Sequence, residues 1–181
     1  MTKNILRNIG VGIAVIFVIF VIARKPSECP GKTEKVTIRG DSLGGILDNG
    51  DEIKVSPNYY ACNPVSRGDI IILRIGMGNE KLIKVVRAIP GDVWGLVKQD
   101  DGTFAIEVNG QLLRTTTGVL YRVDAQRAKV LQLYISDYKG NIPSKAYLVL
   151  GNQQFGSRDS TTFGLVSSSD FAGKAMVPTV R

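Results

Sequence analysis

Leu82-Ile83-Lys84-Val85-Val86-Arg87-Ala88-Ile89-Pro90-Gly91-Asp92 is the stretch on which the fold turns. Aliphatic and largely β-branched residues fill it up to a Pro-Gly-Asp stop, so it reads as a strand over Lys81 to Ile89 that ends in a turn. Apolar residues fall on both alternating faces, and Lys84 has hydrophobic company whichever face turns inward.

The same pattern recurs on either side. Short strand-like runs at Lys35 to Arg39, Glu52 to Ser56, Asp69 to Ile75, Val93 to Lys98, Thr103 to Asn109 and Ala146 to Leu150 are divided by Gly, Asn, Asp and Pro. One segment departs from it. Ala125 to Ser136 follows a capping Asp124 and sets Ala128, Leu131 and Ile135 at helical spacing, which predicts one short helix. The expected fold is a mainly β domain with a single short helix.

Further out, residues 9 to 23 are uncharged and apolar, with Arg7 before them and Arg24 and Lys25 after. They are short for a bilayer span of ~20 residues, but Ile5, Leu6 and snorkelling arginines extend them. No small-x-small cleavage site follows, so a retained membrane anchor is expected over 1–25 rather than a removable leader. Residues 26–35, with Pro26, Pro30 and Gly31, form a linker, and 36–181 the β domain.

Composition narrows the chemistry. The 181 residues contain no histidine, which removes Ser-His-Asp and Cys-His catalysis and imidazole zinc sites. Two cysteines, Cys29 and Cys62, are too few for a thiolate cluster, and neither a metal nor a cofactor is expected. They allow one disulfide, provided that the domain faces an oxidising compartment. The net charge of +7 is spread over single lysines and arginines without a reader motif, which argues against nucleic acid and for an anionic lipid surface.

Without histidine, a nucleophile needs another base. Lysine serves when burial strips its proton, whereas an unperturbed lysine is neutral in only ~0.04% of molecules at pH 7. Lys84 is the candidate, although a lysine at a strand edge would look the same in this run alone. Ser42, in Arg39-Gly40-Asp41-Ser42-Leu43-Gly44-Gly45-Ile46-Leu47, follows a predicted strand among glycines that let a backbone approach a substrate. By itself that loop reads better as a plain turn.

Four blocks in order resemble the type I signal peptidases. Gly40 to Leu47, followed by Gly50-Asp51, is similar to G-x-S-M-x-P-T-L. Arg67-Gly68-Asp69-Ile70-Ile71-Ile72 resembles R-G-D-I-V-V, and Ile83 to Asp92 matches I-K-R-V-I-A-V-P-G-D without a gap. Gly151 to Gly164 resembles G-D-N-R-x-x-S-x-D-S-R-x-x-G. The blocks span Val36 to Val166, nearly the whole predicted domain.

The resemblance implies a signal-peptidase-like coiled β-sheet behind a single N-terminal membrane helix. It also implies a serine endopeptidase with Ser42 as nucleophile, Lys84 as general base, Ser157 orienting the lysine and Asp159 in support. Ile38, Leu43, Leu47, Leu82 and Ile83 would line pockets for small substrate residues. Substrates would be preproteins or, in a conjugative variant of the family, pilin precursors.

Several positions depart from the pattern. Gly45 replaces a proline, which predicts a looser loop; Asn152 and Gln153 replace Asp-Asn; Val85 replaces an arginine. Thr161 stands where an arginine normally pairs with the aspartate, so that support pair is expected to be missing. Gly40 replaces a serine that some relatives use in the oxyanion hole, leaving the Ser42 backbone N–H for that task.

Two other classes stay open. A self-cleaving repressor with the same chemistry would need a DNA-binding domain that residues 1–35 do not offer. An inactive tethered β domain would explain the departures, but not why Ser42, Lys84 and Ser157 all remain. For topology, Lys3 and Arg7 before the anchor are outnumbered by Arg24, Lys25, Lys32, Lys35 and Arg39 after it, which favours a cytosolic domain. The resemblance instead implies a single-pass protein of the plasma (inner) membrane with its domain on the extracytoplasmic side.

Overall fold

Isoleucine at 70, 71 and 72 followed by Leu73 leaves no face of that strand polar, and all four side chains are buried. Such a run belongs in the middle of a sheet covered on both sides. The computed structural model, which describes residues 32–76 and 80–177, puts it there. In chain order the strands are β1 (Glu34–Thr37), β2 (Glu52–Pro57), β3 (Ile70–Arg74), β4 (Lys81–Ala88), β5 (Trp94–Lys98) and β6 (Phe104–Val108). They continue with β7 (Gln111–Leu112), β8 (Arg122–Val123), β9 (Ala146–Leu150), β10 (Val166–Ser167) and β11 (Phe171–Met176). The helices are α1 (Ala125–Asp137) and the single turn α2 (Ser160–Phe163).

A seven-stranded antiparallel sheet runs in the order β1-β2-β11-β3-β4-β9-β10. A smaller sheet has β6 at its centre, paired with β5 on one side and with β7 and β8 along the other. One face of the large sheet buries Ile53, Ile70, Ile72, Ile83 and Val85 beneath Leu43 and Leu47 of the β1–β2 loop. A second cluster gathers Ile71, Leu73, Val86 and Val149. The third joins the sheets, with Trp94, Ile106 and Val108 packed with Leu148, Leu150 and Leu131 of α1.

The mainly β architecture with one short helix agrees with the sequence reading, and α1 carries the expected Asp124 cap, whose side chain accepts from Arg127 N–H. All seven predicted runs overlap a strand. The short β7, β8 and β10, the turn α2 and, above all, β11 were not predicted. β11 lies between β2 and β3 although its sequence, Phe-Ala-Gly-Lys-Ala-Met, has no β-branched residue. Gly173 is required because an added Cβ would stand 2.7 Å from the Ser56 carbonyl oxygen of β2.

The predicted anchor over 1–25 lies outside the described residues, and among those described no helix is long and apolar enough to cross a membrane. Cys62 is disulfide-bonded. The other cysteine of the sequence, Cys29, also lies outside the described residues.

Candidate active site

The β1–β2 loop is a tight turn, in which Gly44 N–H donates to Asp41 O and the Ile46 and Leu47 N–H groups both donate to Leu43 O. That geometry aims Leu43 and Leu47 into the core, 1% and 5% exposed. Ser42, between a solvent-facing Asp41 and the buried Leu43, is left half-exposed at the rim. Its carbonyl accepts from Asn152 N–H at 2.7 Å, while its own N–H donates to none of the described residues.

Lys84 sits inside β4 opposite Ile71 and is 2% exposed. Its Nζ donates to Ser42 Oγ at 3.1 Å and to Ile83 O at 2.7 Å. Burial pushes the lysine pKa down; the Asp159 charge works against this and the Arg158 charge with it. Within hydrogen-bond reach of a hydroxyl, such an amine can act as a proton acceptor once neutral.

After β9 the chain turns back through Gly151 against this pair. A Cβ at 151 would stand 2.5 Å from Ser157 Oγ and 2.7 Å from Ser42 O, so only glycine fits. Ser157 was expected to orient Lys84. Its hydroxyl donates to Asp159 Oδ2 at 3.0 Å, the carboxylate that caps α2. The fully buried Asp159 carboxylate also accepts from the N–H groups of Gly151, Ser157 and Thr161 and from Thr161 Oγ1.

Among the described residues no arginine pairs with Asp159, and a threonine stands in for it. Thr161 Oγ1 donates to Asp159 Oδ1 at 2.7 Å, and Arg127 of α1 donates to Thr161 Oγ1 at 3.1 Å. Arg127 also reaches the carbonyls of Phe155 and Ser157, so an arginine braces this loop from a different element.

Gly45 has φ +82°, which the ring of a proline cannot adopt. The loop is held from outside instead. Asn152 Nδ2 donates to Gly44 O at 2.8 Å and to Thr116 Oγ1 at 2.7 Å, and Gln153 Nε2 donates to Asp41 O at 2.8 Å. Asn152 and Gln153, two of the residues that depart from the family pattern, therefore clasp the Ser42 turn on both flanks. Gly40 N–H is taken by Asn49 Oδ1, and Tyr121 OH donates to Gly151 O while receiving a bond from Arg87.

A cavity of about 380 Å³ opens beside the pair, lined by Val36, Ile38, Ser42, Leu82, Ile83 and Lys84 among others. Three of the five expected pocket residues, Ile38, Leu82 and Ile83, line it. Leu43 and Leu47 do not: the turn that presents Ser42 points them into the core. Arg127, Thr116 and Tyr121 were missed by sequence reasoning. Their partners lie 28 to 36 residues away, and no local pattern marks such bonds.

The family model described as signal peptidase, peptidase S26, matches residues 4–180. Signal peptidase IB of Staphylococcus aureus (strain COL) is 29% identical over 182 residues, covering 96% of this chain and 88% of that protein. Signal peptidase I of Streptococcus pneumoniae serotype 4 is 23% identical over 164 residues, covering 77% and 78%. With a fold built around this arrangement and a family match over almost its whole length, the chain belongs to the type I signal peptidase family, peptidase S26.

Proposed function

We propose that the protein removes signal or leader peptides from exported preproteins at the membrane, with Ser42 as nucleophile and Lys84 as general base. The observation that carries this reading is the 3.1 Å contact between Lys84 Nζ and Ser42 Oγ, made by a lysine that is 2% exposed. Burial makes the neutral amine accessible, and a neutral amine at that distance can take the serine proton as Oγ attacks the scissile carbonyl.

The resulting ammonium protonates the leaving amine, an ester on Ser42 remains, and Lys84 then deprotonates the water that hydrolyses it. The free Ser42 N–H is the donor available for the developing oxyanion. Asp159 holds Ser157 and Gly151 against the dyad, and Ser157 supports the lysine through that packing rather than through a direct bond. Ile38, Leu82 and Ile83 accept the small side chains that precede the cut.

The reading includes an anchor at residues 1–25 in the lipid of the inner membrane and a domain on the extracytoplasmic side, where precursors emerge. The disulfide at Cys62 fits an oxidising compartment. The test is incubation of the full-length protein in detergent with a preprotein carrying a leader. Wild type yields the mature product and Ser42→Ala yields none; equal cleavage by the two overturns the assignment.

A further inference from the structure

The face of the large sheet that the Ser42 turn covers holds a second cavity. The Ser42 turn packs across the middle of this face through Leu43 and Leu47. To one side lies the cavity with Ser42 and Lys84 at its inner end, running outward along β1 and the start of β4 toward Glu34 and Lys81. To the other side, a cavity of about 510 Å³ is bounded by Gly45 and Ile46 of the same turn and by Arg67, Arg87 and Lys174.

Both cavities are basic, the first through Arg39, Arg74, Lys81 and Lys84 against Glu34, and what sets the second apart is how its cations are partnered. Three cations line the second cavity against one carboxylate, Asp69. Lys174 is matched by Asp69 at 2.6 Å, and Arg67 by Asp92. Arg87 is left over. Its guanidinium donates to the neutral Tyr121 hydroxyl at 3.1 Å and stands 5.3 Å from that ring's centroid; no ion pair among the described residues uses it. Its Nε is buried without a hydrogen-bond partner. A half-buried guanidinium in that state bears a desolvation cost that an anion would relieve, and its planar fork matches a carboxylate.

We infer that this second cavity is a subsite for an acidic side chain in the part of the substrate that follows the cut, with Arg87 as its anchor. The inference rests on the reading that residues before the cut fill the cavity along β1. A peptide that ends its path through that cavity at Ser42 continues past the turn, where Gly44 and Gly45 present no side chain. It then meets Ile46 and the basic lining within a few residues, at about 3.3 Å per extended residue. Arg67 and Lys174 add a positive field but are already committed, so Arg87 confers the selectivity.

The experiment compares peptide substrates carrying Asp or Asn at each of the first several positions after the cut. Wild type should prefer Asp about tenfold in kcat/KM at one or two adjacent positions, mainly through KM, and salt should shrink the ratio. Arg87→Gln should bring the ratio to one, and Arg87→Lys should restore part of it. A ratio of one at every position in wild type, or a ratio that survives Arg87→Gln, overturns the inference.

If no peptide is cut, the assignment of the dyad has failed, and the subsite is then read by binding. Fluorescent product peptides that begin after the cut are titrated onto the Ser42→Ala protein in detergent. Tighter binding of the Asp form, lost in Arg87→Gln, supports the subsite; equal binding of both forms overturns it. Loss of phosphatidylglycerol vesicle binding in Arg87→Gln with an unchanged Asp preference would assign Arg87 to lipid instead, and so also overturn it.

Discussion

Lys84 combines two properties that the other described lysines do not share: nearly complete burial and a hydroxyl within hydrogen-bond distance. Its pKa is lowered first by burial, so the base-dependent limb of kcat/KM should rise with pH through a value below the ordinary lysine range near ~10.4. A flat profile from pH 6 to 10 would remove Lys84 from the mechanism. Ser42→Ala and Lys84→Ala should each abolish turnover, and the double variant should lose no more than either single one, because the pair acts as a unit. Burial of this cation also bears on stability. With the folded pKa below the unfolded one, the unfolded chain binds more protons between the two values, and stability rises with pH across that window. Lys84→Met should therefore raise the melting temperature at neutral pH, by a margin that vanishes once the pH exceeds the unfolded lysine value. A melting temperature lowered at all pH values would mean that the lysine stabilises the fold. Ser42 and Lys84 stood out in the sequence because each lies in a contiguous block that resembles the family; the glycines around one and the aliphatic neighbours around the other were not decisive alone. The partner of Ser157 was not legible, because five donors converging on Asp159 is a property of the folded loop.

The loop that leaves β9 shows how an element compensates for a departure in sequence. Thr161 is too short to pair with Asp159 as an arginine would, yet it relays the support of Arg127 from the first turn of α1. Arg127→Ala removes three hydrogen bonds to that loop and should cost about 1 to 3 kcal/mol while lowering kcat more than it raises KM. Arg127→Lys should recover only part, since one ammonium does not replace the planar donor. Unchanged kcat in Arg127→Ala would show that the brace serves stability alone. On the opposite flank, Asn152→Ala frees Gly44 O and the Thr116 hydroxyl and N–H, and should lower kcat without abolishing it. A kcat equal to wild type would mean that the Ser42 turn holds its shape without the clasp. Elements whose residues declare themselves, such as β3, β4 and α1, were legible from periodicity and capping. β11 was not, because it is a strand through what surrounds it: β2 and β3 supply its hydrogen bonds, and the bulge near Ala172 breaks its alternation.

At the scale of the molecule, the two sheets must keep a fixed relation if the third core cluster is to stay closed, and Asp92 stands where they meet. The Pro-Gly-Asp turn after β4 was legible as a stop signal, but nothing in the sequence shows that its carboxylate joins both sheets. Arg67, just before β3, donates to Asp92 through Nε at 2.7 Å and through its terminal amine. Asn109, in the turn after β6, donates from the other side at 2.9 Å, and Ile89 N–H closes the turn itself. Burial by itself would raise the Asp92 pKa, but the hydrogen bonds from Arg67, Asn109 and Ile89 together with the Arg67 charge outweigh it and hold the carboxyl at about 2. The sign follows from linkage. A folded pKa below the unfolded value of about 3.9 adds stability that is fully present above that value and is lost as pH falls toward about 2. Acid unfolding of the wild-type domain should therefore steepen across that interval. Asp92→Asn keeps the shape and removes the charge, so its stability should fall by about 1 to 3 kcal/mol at neutral pH. Its deficit should narrow on acidification, because below pH ~2 the wild type no longer holds the charge that the variant lacks. Circular dichroism melts at a series of pH values measure this. A deficit that stays constant down to pH 2 would show that Asp92 joins the sheets by shape and neutral hydrogen bonding, and that the Arg67 pair contributes nothing to the junction.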